Sequence, residues 1–271
     1  NPFFIFRLFL CCFFWHARQL YVMIEIAFIM QLSSMGRQAE HNRGVCLNVE
    51  GPIPKEGDFV MGEMIASFDG TKLYMNKEAD GDCRAVAVIV HGLCEHQGRY
   101  DYVAGRLHDA GIGTYRFDHR GHGRSEGERT YYESYTELLN DTHAVVTRAM
   151  EDFPNLPIFL IGHSMGGFTA ALYGAKFPYQ GLRGIITSGA LTEDCQQLIT
   201  SVPKGQDPHM QLPNQLGAGV CSVAEVVEWY GQDPYNTKTF TTGLCYAVCE
   251  GIDWFREAVT RFTYPVLMLH G

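Results

Sequence analysis

Ile158-Phe159-Leu160-Ile161-Gly162-His163-Ser164-Met165-Gly166-Gly167-Phe168 decides how the rest of this 271-residue chain is read. Ile158 to Ile161 is a short unbroken apolar run, the pattern of a strand buried on both faces. Met165 to Phe177 reads as a helix stopped by Pro178. Between them lies a G-x-S-x-G with a third glycine behind it. A serine at a sharp strand-to-helix turn is held in a strained backbone conformation, with its hydroxyl projected out of the sheet. Glycines two residues before and two after Ser164 let neighbouring chain approach without a Cβ clash. The first backbone N–H groups of the helix face any negative charge that develops there. Five residues alone could arise by chance on an ordinary turn. The flanking strand, the flanking helix and the extra glycine make Ser164 a candidate nucleophile.

Upstream, strand and helix alternate. Phe59 to Phe68 and Thr71 to Lys77 read as strands joined by an Asp69-Gly70 turn. Ala85 to Val90 (AVAVIV) is another doubly buried strand. Tyr100 to Ala110 is a helix stopped by Gly111, and Ile112 to Phe117 is the next strand. Glu133 to Phe153 places Leu138, Leu139, Val145, Val146, Ala149, Met150 and Phe153 mostly at three- and four-residue steps, a long amphipathic helix. Leu182 to Thr187 is a further strand. Residues 190–255 break the rhythm, with more Gly, Pro and polar residues and a weak helical stretch at Val223 to Tyr230. Pro265 to Leu269 returns to the buried-strand pattern. The alternation predicts an α/β fold, a mostly parallel sheet covered by helices on both faces. It divides the chain into a polar linker ending at residue 58, a core over 59–189, an inserted cap over 190–255 and a return to the core over 256–271.

A serine that attacks a carbonyl needs two donors for the oxyanion. The N–H of Met165, directly after the candidate nucleophile, is one. His91-Gly92-Leu93 follows the strand Ala85 to Val90, and the N–H of Leu93 is assigned as the second. His91 reads as a brace for this loop. Gly162, His163, Gly166 and Gly92 are supporting residues. The loop Asp118-His119-Arg120-Gly121-His122-Gly123-Arg124-Ser125 lies where open α/β sheets bind ligands, and is read here as structural support. His119 and His122 lack the clustered carboxylates or cysteines of a metal site, so no metal and no cofactor are expected.

Composition narrows the field. With 46% apolar and 13% aromatic residues the chain is globular. A formal net charge of −9 argues against nucleic acid as a partner. The nine cysteines are scattered, without a C-x-x-C, which argues against a disulfide framework or a zinc site and for a reducing cytoplasm. Cys245 and Cys249 would share one helix face as small buried hydrophobes. Phe3 to Trp15 is apolar except for Arg7, and Leu20 to Met30 is broken by Glu25. A membrane span needs about 20 apolar residues and neither run reaches it. If residues 1–30 are nonetheless an anchor, the protein is membrane-associated. The chain opens on Asn, and Met23, Met35 and Met61 are candidate starts.

Three segments together carry a family resemblance: 91–100 (HGLCEHQGRY), 117–129 (FDHRGHGRSEGER) and 162–167 (GHSMGG). Their order and separation resemble the monoacylglycerol lipase and lysophospholipase group of α/β-hydrolases, from about Phe59 to Gly271. The resemblance implies cofactor-free hydrolysis of a small-molecule acyl ester such as a monoacylglycerol or lysophospholipid. It also implies Ser164 as nucleophile, Leu93 and Met165 as oxyanion donors, and a cap with transient contact to a lipid surface. It further implies a triad Asp just beyond the strand at Pro265 to Leu269, and a His later still. Both would fall after Gly271, so the chain is expected to be a fragment with an open sheet edge and negligible turnover. After Ser164 the only histidines are His209 and His270, and neither is placed as a base. An esterase, aminopeptidase or acyltransferase on the same fold remains an alternative. So does a non-catalytic binding protein, should the C-terminus be genuine.

Overall fold

The computed structural model describes residues 62–270, apart from 196, 198 and 216–223. The apolar segment at 1–30, the linker to 58 and the first residues of the strand expected from Phe59 lie outside these, as does Val223 at the head of the weak helical stretch.

The elements follow the alternation. Strand β1 (Glu63–Ala66) and β2 (Lys72–Glu78) form the antiparallel hairpin, turning at Gly70 with φ 89°. Strand β3 (Ala85–Val90) leads through a short 3₁₀ turn (Gln97–Tyr100) into helix α1 (Asp101–Asp109). Strand β4 (Ile112–Phe117) is followed by helix α2 (Tyr135–Asp152), and β5 (Ile158–His163) by helix α3 (Met165–Lys176). After β6 (Leu182–Ser188) come β7 (Gln211–Pro213), helix α4 (Ala224–Gln232), β8 (Thr239–Thr241), helix α5 (Thr242–Ala258) and β9 (Val266–Leu269). The seven-stranded sheet runs β1-β2-β4-β3-β5-β6-β9, and every pair from β4 to β9 is parallel. Strands β7 and β8 pair separately as a small antiparallel sheet.

Burial explains why the central strands read as continuous apolar runs. All six residues of β3 are buried. Because successive side chains alternate across a sheet, Val86, Val88 and Val90 join the larger core with Leu138, Val145, Phe168 and Leu172. Ala85, Ala87 and Ile89 join the other, with Leu107, Phe159, Ile161 and Ile186. Helix α2 is capped by Ser134, whose hydroxyl accepts a hydrogen bond from the Thr136 N–H at 3.3 Å. That is the N-cap that sets its boundary two residues inside the expected Glu133.

Between β6 and β9 lie the described residues of 190–255, none of which joins the seven-stranded sheet. They hold β7, β8, α4 and most of α5. Helix α5 lies against α2 and α3, and Leu244, Val248 and Ile252 enter the larger core. Its close approach depends on small residues: a Cβ at Gly251 would come 2.6 Å from the Phe168 ring. Cys245 and Cys249 sit one turn apart on this helix, the first buried and the second half-buried. Among the described residues no helix is long and apolar enough to cross a membrane.

Candidate active site

The C-terminal ends of β3, β4 and β5 bring three loops together. At the end of β5 the chain turns through Ser164, whose φ of 53° and ψ of −116° lie in a region that L-residues avoid. The turn is held on both sides. The Ser164 N–H donates to the Ser188 carbonyl at the end of β6 (2.8 Å), and the Ser164 carbonyl accepts from the Phe168 N–H (2.9 Å). Its glycines are obligatory by contact: a Cβ at Gly162 would lie 2.1 Å from the Gly166 oxygen, and one at Gly166 would lie 2.1 Å from the Val90 oxygen. Ser164 is the N-cap of α3, and Met165 is its first residue. The Met165 N–H is therefore among those that have no acceptor within the helix.

The loop after β3 sits directly against this turn. A Cβ at Gly92 would lie 3.3 Å from the Ser164 Cβ. The Gly92 N–H is occupied, donating to Glu95 Oε1 at 2.7 Å. Glu95 also accepts from the Tyr100 hydroxyl (2.7 Å) and the Arg99 guanidinium (3.1 Å). Cys94 adopts φ 61°, which curls the loop back so that Glu95 reaches Gly92. With Gly92 committed, the next N–H along this loop is that of Leu93. Burial pushes the Cys94 thiol up to about 11, so it is a neutral packing group. Sequence reasoning passed over Glu95. The one available signal was a carboxylate three residues after the glycine of a glycine–histidine loop.

His91 is fully buried, and its ring has two partners. Its Nε2 accepts from the His119 N–H (3.0 Å), so the proton sits on Nδ1 and is donated to the Gly92 carbonyl (2.8 Å). His119 Nε2 donates in turn to the His91 carbonyl (3.2 Å), and His122 Nδ1 donates to the Arg120 carbonyl (3.0 Å). The three rings pack edge-to-face, 4.5 to 6.0 Å between centroids. Burial holds all three neutral, joined at His91 and His119 by repulsion from the neighbouring imidazoles' charged forms: His119 falls to about 3, His91 well below its ordinary value, and His122 to about 4. They brace the loop rather than exchange protons at neutral pH. Among the described residues no group of three His, Cys, Asp or Glu could hold a metal.

The loop 118–125 is tied into the same framework. Asp118 accepts from the N–H groups of Gln97 and Arg124, both at 2.8 Å. Arg120 forks onto Asp141 with two bonds of 2.7 Å. Arg120 also bonds Glu137 and Asp69. His163 is exposed and lies 3.4 Å from the Ser188 hydroxyl. His209 is exposed, bonded to Glu128 at 3.0 Å and stacked on Tyr131. His270 is exposed just beyond β9. The structure thus gathers Ser164, Met165, Gly162, Gly166, Gly92, Leu93 and His91 in one place.

A mostly parallel sheet flanked by helices, with a strained serine between β5 and α3, defines an α/β-hydrolase fold. The chain belongs to the family described as serine aminopeptidase S33, whose model matches residues 81–271. It is 33% identical over 198 residues to a monoacylglycerol lipase of Mycolicibacterium smegmatis, covering 71% of each chain. It is 29% identical to the monoglyceride lipase of Homo sapiens, over 76% of this chain and 71% of that one. Among solved structures, the monoacylglycerol lipase of Paleococcus ferrophilus superposes with a TM-score of 0.61 at 28% identity, covering 73% of this chain and 77% of that one. A soluble variant of the Saccharomyces cerevisiae monoglyceride lipase gives 0.66 at 20% identity, over 82% and 80%, a likeness of fold.

Proposed function

We propose that the protein is a carboxylic ester hydrolase acting on single-chain lipid esters, monoacylglycerols or lysophospholipids, with Ser164 as its nucleophile. The observation that carries this reading is the backbone of Ser164. A serine is kept at φ 53° between two glycines that admit no Cβ, at the head of a helix and against the 91–94 loop. The names of the family's lipase members support the substrate class.

In this reading the Ser164 hydroxyl attacks the ester carbonyl, and the oxyanion is received by the N–H groups of Leu93 and Met165. The alcohol leaves, and water then releases the fatty acid from the acyl-enzyme. The step needs a base that takes the hydroxyl proton and returns it to the leaving alcohol, and a carboxylate that orients that base. His209 is committed to Glu128 and Tyr131 and is not placed as that base. Residues 190–255 are the cap, and its exposed Met210 and Trp229 are where we place contact with a lipid surface. The five described cysteines, all unpaired, support a cytoplasmic location.

The test is hydrolysis of a monoacylglycerol by the protein extended through its downstream reading frame, beside its Ser164→Ala variant and the 271-residue form. Turnover by the extended protein alone supports nucleophile and triad placement together. Equal turnover by Ser164→Ala would overturn the assignment of the nucleophile. The family description supplies a second reading, aminoacyl amide hydrolysis. Preference for aminoacyl amides over p-nitrophenyl acyl esters would put that reading first.

A further inference from the structure

The 91–99 loop is gripped from outside as well as from within. Its outer side faces the stretch 230–239, which leads from α4 into β8. The Thr237 N–H donates to the Cys94 carbonyl at 3.0 Å. His96 Nε2 lies 2.8 Å from Asp233 Oδ2. The Arg99 guanidinium stacks over the Tyr230 ring at 4.9 Å, and the Tyr235 ring lies 5.3 Å from that of His96. Arg124, from the neighbouring loop, bonds the Tyr235 hydroxyl at 3.0 Å.

The His96–Asp233 contact has a defined polarity. His96 Nδ1 accepts from the Gly98 N–H at 3.2 Å, so in the neutral ring the proton is on Nε2 and is donated to Asp233. Asp233 is itself fixed, since its other oxygen accepts from the Tyr235 N–H at 2.9 Å. Burial alone would raise its carboxyl. The bonds from His96 and Tyr235 outweigh that and hold it below the ordinary carboxylate range. The acceptor is thus ionised at neutral pH, which makes the bond a strong one. The limb that carries it is also braced internally: Asn236 is buried, and its amide donates to the Tyr230 carbonyl at 2.9 Å.

These contacts close on Leu93. On one side of it, Gly92 is tied to Glu95. On the other, Cys94 in its left-handed conformation is tied to Thr237, and His96 to Asp233. We propose that His96 and Asp233 are positioning residues: their bond seats the 230–239 limb on the 91–99 loop, and so sets the direction in which the Leu93 N–H points at the oxyanion. The inference rests on the reading of Ser164 as nucleophile. An oxyanion donor acts in the transition state and not on the bound ester. Loosening its mount therefore lowers kcat with little change in KM.

The experiment uses the extended protein with its natural downstream sequence. Asp233→Ala and His96→Ala each lower kcat on a monoacylglycerol by roughly 10-fold, with KM within about twofold, and the double variant is no worse than either single one. Asp233→Asn keeps an acceptor for the His96 N–H and restores most of kcat. Glu193→Gln removes an exposed ion pair to Arg256 elsewhere on the insertion and leaves kcat unchanged. Amide exchange across 91–99 accelerates in Asp233→Ala and not in Glu193→Gln. If Asp233→Ala keeps full kcat, or its loss is all in KM, the proposal is wrong. If the extended protein is inert, or Ser164→Ala is as active as the parent, the underlying reading falls with it.

Discussion

At the scale of single residues, the site is built from backbone more than from side chains. Ser164 is held at φ 53° by what its neighbours lack. A Cβ at Gly166 would press on the Val90 and His91 carbonyl oxygens at 2.1 and 2.6 Å, prising α3 from the end of β3. Gly166→Ala is therefore expected to cost about 1–3 kcal/mol of stability, the range for overpacking a tight contact, and to abolish turnover of the extended protein. Denaturant unfolding and monoacylglycerol hydrolysis measure the two effects. Glu95 acts through the one N–H it holds. Glu95→Gln keeps an acceptor for Gly92 and should retain most activity. Glu95→Ala frees that N–H and uncurls the loop, lowering kcat by roughly 10-fold, less than the outright loss of an oxyanion donor. A steady-state comparison of the two variants checks this, and equal loss in both would mean that the charge, not the acceptor, matters.

At the scale of elements, loops are pinned to helices by a few buried ion pairs. Arg120 leaves the loop after β4 and forks onto Asp141 of α2, which is wholly buried and also receives the Ser67 hydroxyl from the β1–β2 hairpin. Hairpin, loop and helix thus share one carboxylate. Arg120→Met would leave Asp141 charged and uncompensated, at a cost of about 3–5 kcal/mol. The double variant Arg120→Met with Asp141→Leu recovers much of it, and urea unfolding of the three proteins tests the cycle. The same scale explains what could be read in advance. Strand β3 was legible because burial on both faces leaves no polar position, and α2 because its apolar residues recur at three- and four-residue steps. Strands β7 and β8 are three residues each, too short for any period. Helix α5 was anticipated only in the shared face of Cys245 and Cys249, because it packs through Gly243 and Gly251 where a periodicity search looks for bulk. At the site, Ser164 was visible as a local motif. The reach of Glu95 to Gly92 was not, since it depends on the left-handed Cys94. The pairing of His96 with Asp233 spans 137 positions and follows only from how the 230–239 stretch lies on the 91–99 loop.

At the scale of the whole molecule, the three buried imidazoles make stability depend on pH. In the unfolded chain His91, His119 and His122 would titrate near 6.5. In the fold, burial holds His119 near 3, His122 near 4 and His91 well below its ordinary value. Between these limits the unfolded state binds more protons than the native one, so stability rises with pH across the window and falls as pH drops below about 6.5. Each histidine contributes on the order of 1 kcal/mol per pH unit there. Asp152 works in the same direction but lower down. Burial would raise its carboxyl, but Lys77, Tyr115 and Arg148 together hold it at about 2, so its contribution is lost only as pH falls from about 4. Unfolding free energies measured by denaturant from pH 7.5 to 4 should therefore decline with a slope above one proton, with the decline beginning near pH 6.5. His122→Phe removes one titrating group beside Tyr132 and should lower that slope by up to one proton. A decline that begins only below pH 5, in the carboxylate range, would mean that these rings are protonated inside the fold. In that case the loop beside Ser164 would carry charge rather than a neutral brace.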